Sequence, residues 1–110
     1  MAIRFGLVVR FTAKDADAAA AFDALAAEAL EGIEGEPGTL VYVNHTVPEE
    51  PNVRVFYELY ADRAAFDAHE AQPHVRRFLA ERGRYLASHE VTFLHDLAGK
   101  GVPRGGARGG

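Results

Sequence analysis

The stretch HEAQPH, residues 69–74, holds two histidines flanking a proline. A zinc protease carries H-E-x-x-H on one continuous helix, where imidazoles four residues apart share a face and reach one ion. Here His69 and His74 are five apart and Pro73 interrupts the run. At about 100° per residue, a five-residue step swings the second ring to roughly 140° from the first. Proline also lacks the amide a continuing helix would donate, and it drives the preceding residue out of helical space. The pair fails as a zinc motif. What remains is two imidazoles, the side chains best suited to moving a proton near neutral pH.

His69 follows Phe66 by three positions, so it turns toward the same inner face of a short helix. It is a candidate base at a pocket wall, with a packed histidine bonded to a backbone carbonyl as the alternative. His74 heads the next helix, where it stands at the pocket mouth or caps the turn. Both are the catalytic candidates. Asn44 shares a strand face with Leu40 and Tyr42, and an amide among apolar neighbours needs a partner. With Tyr57, Tyr60, Phe66 and Phe78 it forms the candidate substrate-binding set, core packing being the alternative for the aromatics. Glu58 points opposite to Tyr57, and Arg10 or Arg54 could pair with it in a structural ion pair at a dimer interface. His45, His89 and His95 fall on strands expected at opposite edges of the sheet, so no metal site is expected.

Several elements must position these residues. Ile3, Phe5, Leu7, Val9 and Phe11 alternate along a first strand. Phe22, Leu25, Ala29 and Ile33 recur at helical spacing in an alanine-rich run that Gly35 and Pro37-Gly38 stop. TLVYVNHTV and NVRVFYELYA read as two strands joined across PEEPN. Asp62 offers an N-cap to a short helix carrying Phe66 and His69, and Pro73 suits the first position of the next. SHEVTFLHDL supplies a fourth strand. The order β-α-β-β-α-β, its second helix broken at Pro73, predicts a ferredoxin-like α+β fold: a four-stranded antiparallel sheet with its helices on one face. Strands two and three are apolar on both sides, which predicts a homodimer packed sheet to sheet.

Bulk properties narrow the classes. The 110 residues suit one domain, with 48% hydrophobic and 25% charged residues. No apolar run reaches the roughly 18 residues of a membrane span, and no signal peptide stands out. Without cysteine there is no disulfide, thiolate nucleophile or thiolate metal site. A cytoplasmic location and no membrane partner are expected. Setting aside Lys100, Arg104 and Arg108 leaves nine basic residues against 16 acids, so residues 1–98 carry a net charge of about −7. Nucleic acid is not an expected partner. We assign residues 1–98 to the folded domain and 99–110 to a flexible, Gly/Arg-rich tail.

Residues 36–78 carry a family resemblance. An E-P-G before strand two, Glu58-Leu59-Tyr60 at the end of strand three, and Phe66, Ala68, His69, Pro73 and His74 on the broken helix resemble the antibiotic biosynthesis monooxygenase family. These are small dimeric α+β barrel proteins, and the resemblance spans about residues 3–97. It implies a cofactor-independent monooxygenase, using neither metal nor flavin, that oxidises a small aromatic, phenolic or quinol-like substrate with dioxygen as co-substrate. The polyketide-oxidising relatives hold substrate with an asparagine and a tryptophan; this chain has no tryptophan. Two alternatives follow from the same residues: a cofactor-free isomerase of a small metabolite, and a non-catalytic ligand-binding dimer.

Overall fold

The computed structural model describes residues 3–101; most of the expected tail, residues 102–110, lies outside the described residues. The chain runs β1 (Phe5–Ala13), α1 (Ala16–Ile33), β2 (Thr39–Val47), β3 (Glu50–Tyr60), α2 (Arg63–Glu70), α3 (Pro73–Glu81), a 3₁₀ turn (Arg82–Arg84) and β4 (Leu86–His95). The strands form one antiparallel sheet in the order β2-β3-β1-β4. This is the ferredoxin-like α+β arrangement that the alternation of elements predicts. Among the described residues no helix is long and apolar enough to cross a membrane.

Each helix has a local cause. The Asp15 side chain accepts from the Ala18 amide at α1, and Asp62 accepts from Ala65 at α2. Both satisfy amides that the first turn leaves unpaired. The buried residues of α1 are Ala19, Phe22, Leu25, Ala26, Ala29 and Ile33, one stripe at helical spacing. Pro73 sits at the first position of α3 while Gln72 before it is extended, with ψ 142°. The chain therefore bends between the two short helices. Phe11, Phe22, Phe56 and Phe78 meet in the core, with Phe11 and Phe56 ring centroids 4.7 Å apart in an edge-to-face pair.

The β2–β3 connection and the register of β2 differ from the sequence reading. The β2–β3 connection is the two-residue turn Pro48–Glu49, because Val47 already pairs with Glu50. In β2 the register shifts between Thr39, opposite Tyr60, and Val41, opposite Leu59. This irregularity takes Leu40 out of step with Tyr42 and leaves Thr39 and Tyr42 both on the helix side.

The other side of the sheet is half apolar. Val8, Val41, Val43, Val55, Tyr57 and Leu94 share it, and Val43 remains 43% exposed. Ion pairs Arg4–Asp96 and Arg10–Glu50 lie at its margins. On the helix side, β4 is left uncovered: Val91 is 42% and Phe93 58% exposed. The expectation that the chain's own helices roof the whole inner face holds only for β1, β3 and the start of β2.

Since α2 has eight residues and one capping side chain, Asp62→Ala should lower stability by about 1 kcal/mol. The check is a urea midpoint that falls with an unchanged slope.

Candidate active site

Glu36 lies in the loop between α1 and β2, and three side chains converge on it. Thr39 Oγ1 donates to Oε1 at 2.6 Å, and His69 Nδ1–H donates to the same oxygen at 2.7 Å. His74 Nε2–H donates to Oε2. Burial by itself pushes the Glu36 carboxyl up, but the Thr39 hydroxyl and the two imidazoles outweigh it and hold the group below the usual range. The carboxylate is ionised and accepts from three side chains.

The broken helix makes this possible. His69 closes α2 and His74 opens α3, and the extended Gln72 between them turns both rings toward one carboxylate. The five-residue spacing that spoils a shared metal suits a shared acceptor. Gly32 completes the fit, since a Cβ there would overlap the His74 ring.

With Nδ1–H committed to Glu36, the neutral His69 ring carries its lone pair on Nε2. That atom stands 4.0 Å from Glu58 Oε1, and His69 is only 5% exposed. Glu58 is buried as well, and its Oε1 accepts from the Tyr60 hydroxyl at 2.6 Å. Burial pushes the Glu58 carboxyl up to about 7, against the opposing pull of the Tyr60 bond. Burial and the neighbouring Glu58 charge push the Tyr60 phenol up, so it remains the donor. A base and a carboxylic acid thus stand side by side in the interior.

Between these groups and the sheet lies a cavity of about 110 Å³. Leu7, Val9 and Phe11 form its floor, and Phe66, Val75, Phe78 and Leu79 its roof. Its polar lining is Tyr42, Glu58, His69, Glu70 and Arg82, and Val91 and Phe93 of the uncovered β4 complete the wall.

The structure sorts the candidates from sequence. His69, Phe66 and Phe78 line the cavity. His74 does not: it bonds Glu36 from the outer side and borders a surface groove with Leu25, Ala29 and Arg77. Tyr60 is fully buried behind Glu58. Tyr57 stands on the opposite face of the sheet, paired with Val8 and Val43. Asn44 is exposed, outside the cavity lining. The supposed ion pair of Glu58 with Arg10 or Arg54 is absent, because Arg10 bonds Glu50 and Arg54 bonds Asp23. Glu58 faces the helices instead of a dimer interface. Sequence reasoning did not assign a site role to Glu36, Tyr42 or Arg82. Glu36 carried a signal: it leads the E-P-G, and two histidines too far apart for one metal still need an acceptor.

A carboxyl whose folded pKa is raised stabilises the native state while it is protonated. Stability that Glu58 keeps below its ordinary value of 4.5 is lost as pH rises toward and through about 7. Glu58→Gln cannot ionise, so it should match wild type near pH 4.5 and exceed it above pH 7 by on the order of 3 kcal/mol. Urea midpoints of both proteins across that range are the measurement; a constant difference would show that Glu58 ionises normally.

The fold and the family have known counterparts. No curated protein matches the chain. The Rv0793 protein of Mycobacterium tuberculosis is 27% identical, covering 87% of this chain and 97% of its own, with a TM-score of 0.81. A Bacteroides thetaiotaomicron protein provisionally named an antibiotic biosynthesis monooxygenase is 26% identical over 86% of this chain and 90% of its own, with a TM-score of 0.78. A Nitrosomonas europaea protein with the same provisional name shares the fold at 20% identity, covering 92% of this chain and 97% of its own, with a TM-score of 0.82. The model of the antibiotic biosynthesis monooxygenase family matches residues 4–81, and the chain belongs to that family.

Proposed function

We propose that the protein is a cofactor-independent monooxygenase that oxidises a small phenolic or quinol-like aromatic with dioxygen in the cavity beneath α2 and α3. The observation that carries this reading is the buried His69–Glu36 pair, with Nε2 turned toward a largely apolar chamber.

His69 Nε2 takes the substrate proton, and the Glu36 carboxylate stabilises the imidazolium that results. The substrate becomes an electron-rich anion. Dioxygen is a triplet and reacts slowly with closed-shell molecules, but such an anion can pass it one electron and then recombine with it. A ring carbon acquires one oxygen as a carbonyl; the other oxygen leaves with two substrate hydrogens as water. Four electrons leave the substrate and four enter dioxygen, so no external reductant is required. Glu58, protonated up to about 7, is placed to give a proton to the departing oxygen, and the apolar floor and roof confine the anion's contact with water to the side at β4. The family name and the provisionally named relatives agree with oxygenase chemistry.

Oxygen-electrode measurements with hydroquinones and other single-ring phenols should show one dioxygen consumed per substrate converted, without hydrogen peroxide. His69→Ala should lower kcat by roughly 10²–10⁴-fold. Conversion of a substrate without oxygen uptake would instead establish an isomerase, and unchanged turnover in His69→Ala would remove the base.

The same reading includes a homodimer joined through the half-apolar outer face of the sheet, with Val43 and Tyr57 near its centre. Sedimentation should give twice the monomer mass, and Val43→Glu should shift it to the monomer mass. A wild-type protein that stays monomeric at micromolar concentration would overturn this part.

A further inference from the structure

Arg82 is the cavity group without an assigned partner. Arg4, Arg10, Arg54, Arg63, Arg77 and Arg84 each pair with a carboxylate. Arg82 is half-buried in the turn after α3 and lines the cavity, yet among the described residues its guanidinium has no hydrogen bond or ion pair. It lies over the Phe11 ring, 5.8 Å from the centroid. Such stacking fixes the plane of the group and leaves its N–H edge free. Tyr42 repeats the pattern. Half-buried beside His69, with ring centroids 5.8 Å apart, it lines the same cavity and its hydroxyl has no partner among the described residues.

We infer that Arg82 and Tyr42 together hold an anionic oxygen group of the substrate, which is a single-ring phenol bearing a carboxylate or an equivalent planar oxyanion.

Two donor groups face a chamber in which, of the other polar groups, only Glu70 is without a hydrogen bond among the described residues. His69 is committed to Glu36 and Glu58 to Tyr60. Of the acids near Arg82, Glu58 is protonated below about 7, and Glu70 is exposed on α2 and not within ion-pair distance. Burial lowers the Arg82 pKa, outweighing the attraction of Glu70, Glu58 and Tyr42, so a bound anion would recover charge stabilisation the protein leaves unmet. Size sets the rest. The cavity is small, about 110 Å³ against the roughly 150 Å³ of a cavity that accepts benzene, and it opens along the exposed Phe93 of β4, so a single ring is the form that suits it. The orientation rests on the oxygenase reading above: an anchored oxyanion at Arg82 leaves the phenolic end for His69 and Glu58.

Binding measured without oxygen tests the anchor apart from turnover. In titration calorimetry, 4-hydroxybenzoate should bind the wild type roughly tenfold or more tightly than 4-hydroxybenzamide or phenol. Arg82→Met should erase that preference while phenol affinity stays the same, and Arg82→Lys should keep part of it. Tyr42→Phe should weaken 4-hydroxybenzoate alone. A preference that survives in Arg82→Met, or a wild type indifferent to the carboxylate, would overturn the inference. If the preference holds but no oxygen is consumed, the anchor stands and the monooxygenase reading falls; oxygen consumption with an unchanged Arg82→Met preference gives the converse.

Discussion

A buried carboxylate cannot be left alone. Moving an ionised group out of water is costly unless hydrogen bonds replace the lost hydration, and Glu36 obtains three of them. Its partners come from three places in the fold: the start of β2, the end of α2 and the beginning of α3. The same contacts that keep Glu36 ionised therefore fix the loop after α1, the bend at Pro73 and the tautomer of His69. Breaking the carboxylate would release all of them together. The register shift in β2 and the bare Cα of Gly32 serve this arrangement, one aligning Thr39 with Glu36 and the other admitting the His74 ring.

From that anchor the division of labour in the cavity follows. One face of His69 is held by charge, so its other nitrogen is free to accept a proton. Glu58, a few ångströms away, sees no cation at bonding distance and only a phenol for a partner, so burial dominates and it keeps its proton. Below about pH 7 two glutamates of one chain thus occupy opposite states, because one meets three donors and the other meets one. Neither state reflects intrinsic acidity.

Much of the fold was legible in the sequence because it rests on local pattern. Alternation along β1, the helical stripe of α1, the Asp62 cap and the break at Pro73 depend on residues a few positions apart. The site depends on residues 33 to 38 positions apart, and periodicity carries no information about those. His69 could be placed because Phe66 fixed its face. Asn44 was misplaced because facing inward is not enough; the helices must also extend over that end of the strand. Tyr57 was misplaced because an apolar residue on a two-sided strand has no preferred face until the register is known. Glu58 was paired with the wrong partners because Arg54 on its own strand and Arg10 on the neighbouring one were equally available by sequence.

The HEAQPH stretch shows how much one residue of spacing decides. With a four-residue step from one histidine to the next on an unbroken helix, both rings would point at a single small cation. Inserting a fifth and a proline separates the rings onto two helices, and the object large enough to bridge them is a planar carboxylate with two oxygens. One ring then faces the chamber and the other the surface, joined by a group that can feel charge at either end. A site built this way places a proton acceptor in the interior while keeping its counter-charge within reach of solvent through His74, which is partly exposed. The spacing that spoils the zinc motif is the spacing that brings both rings to one carboxylate.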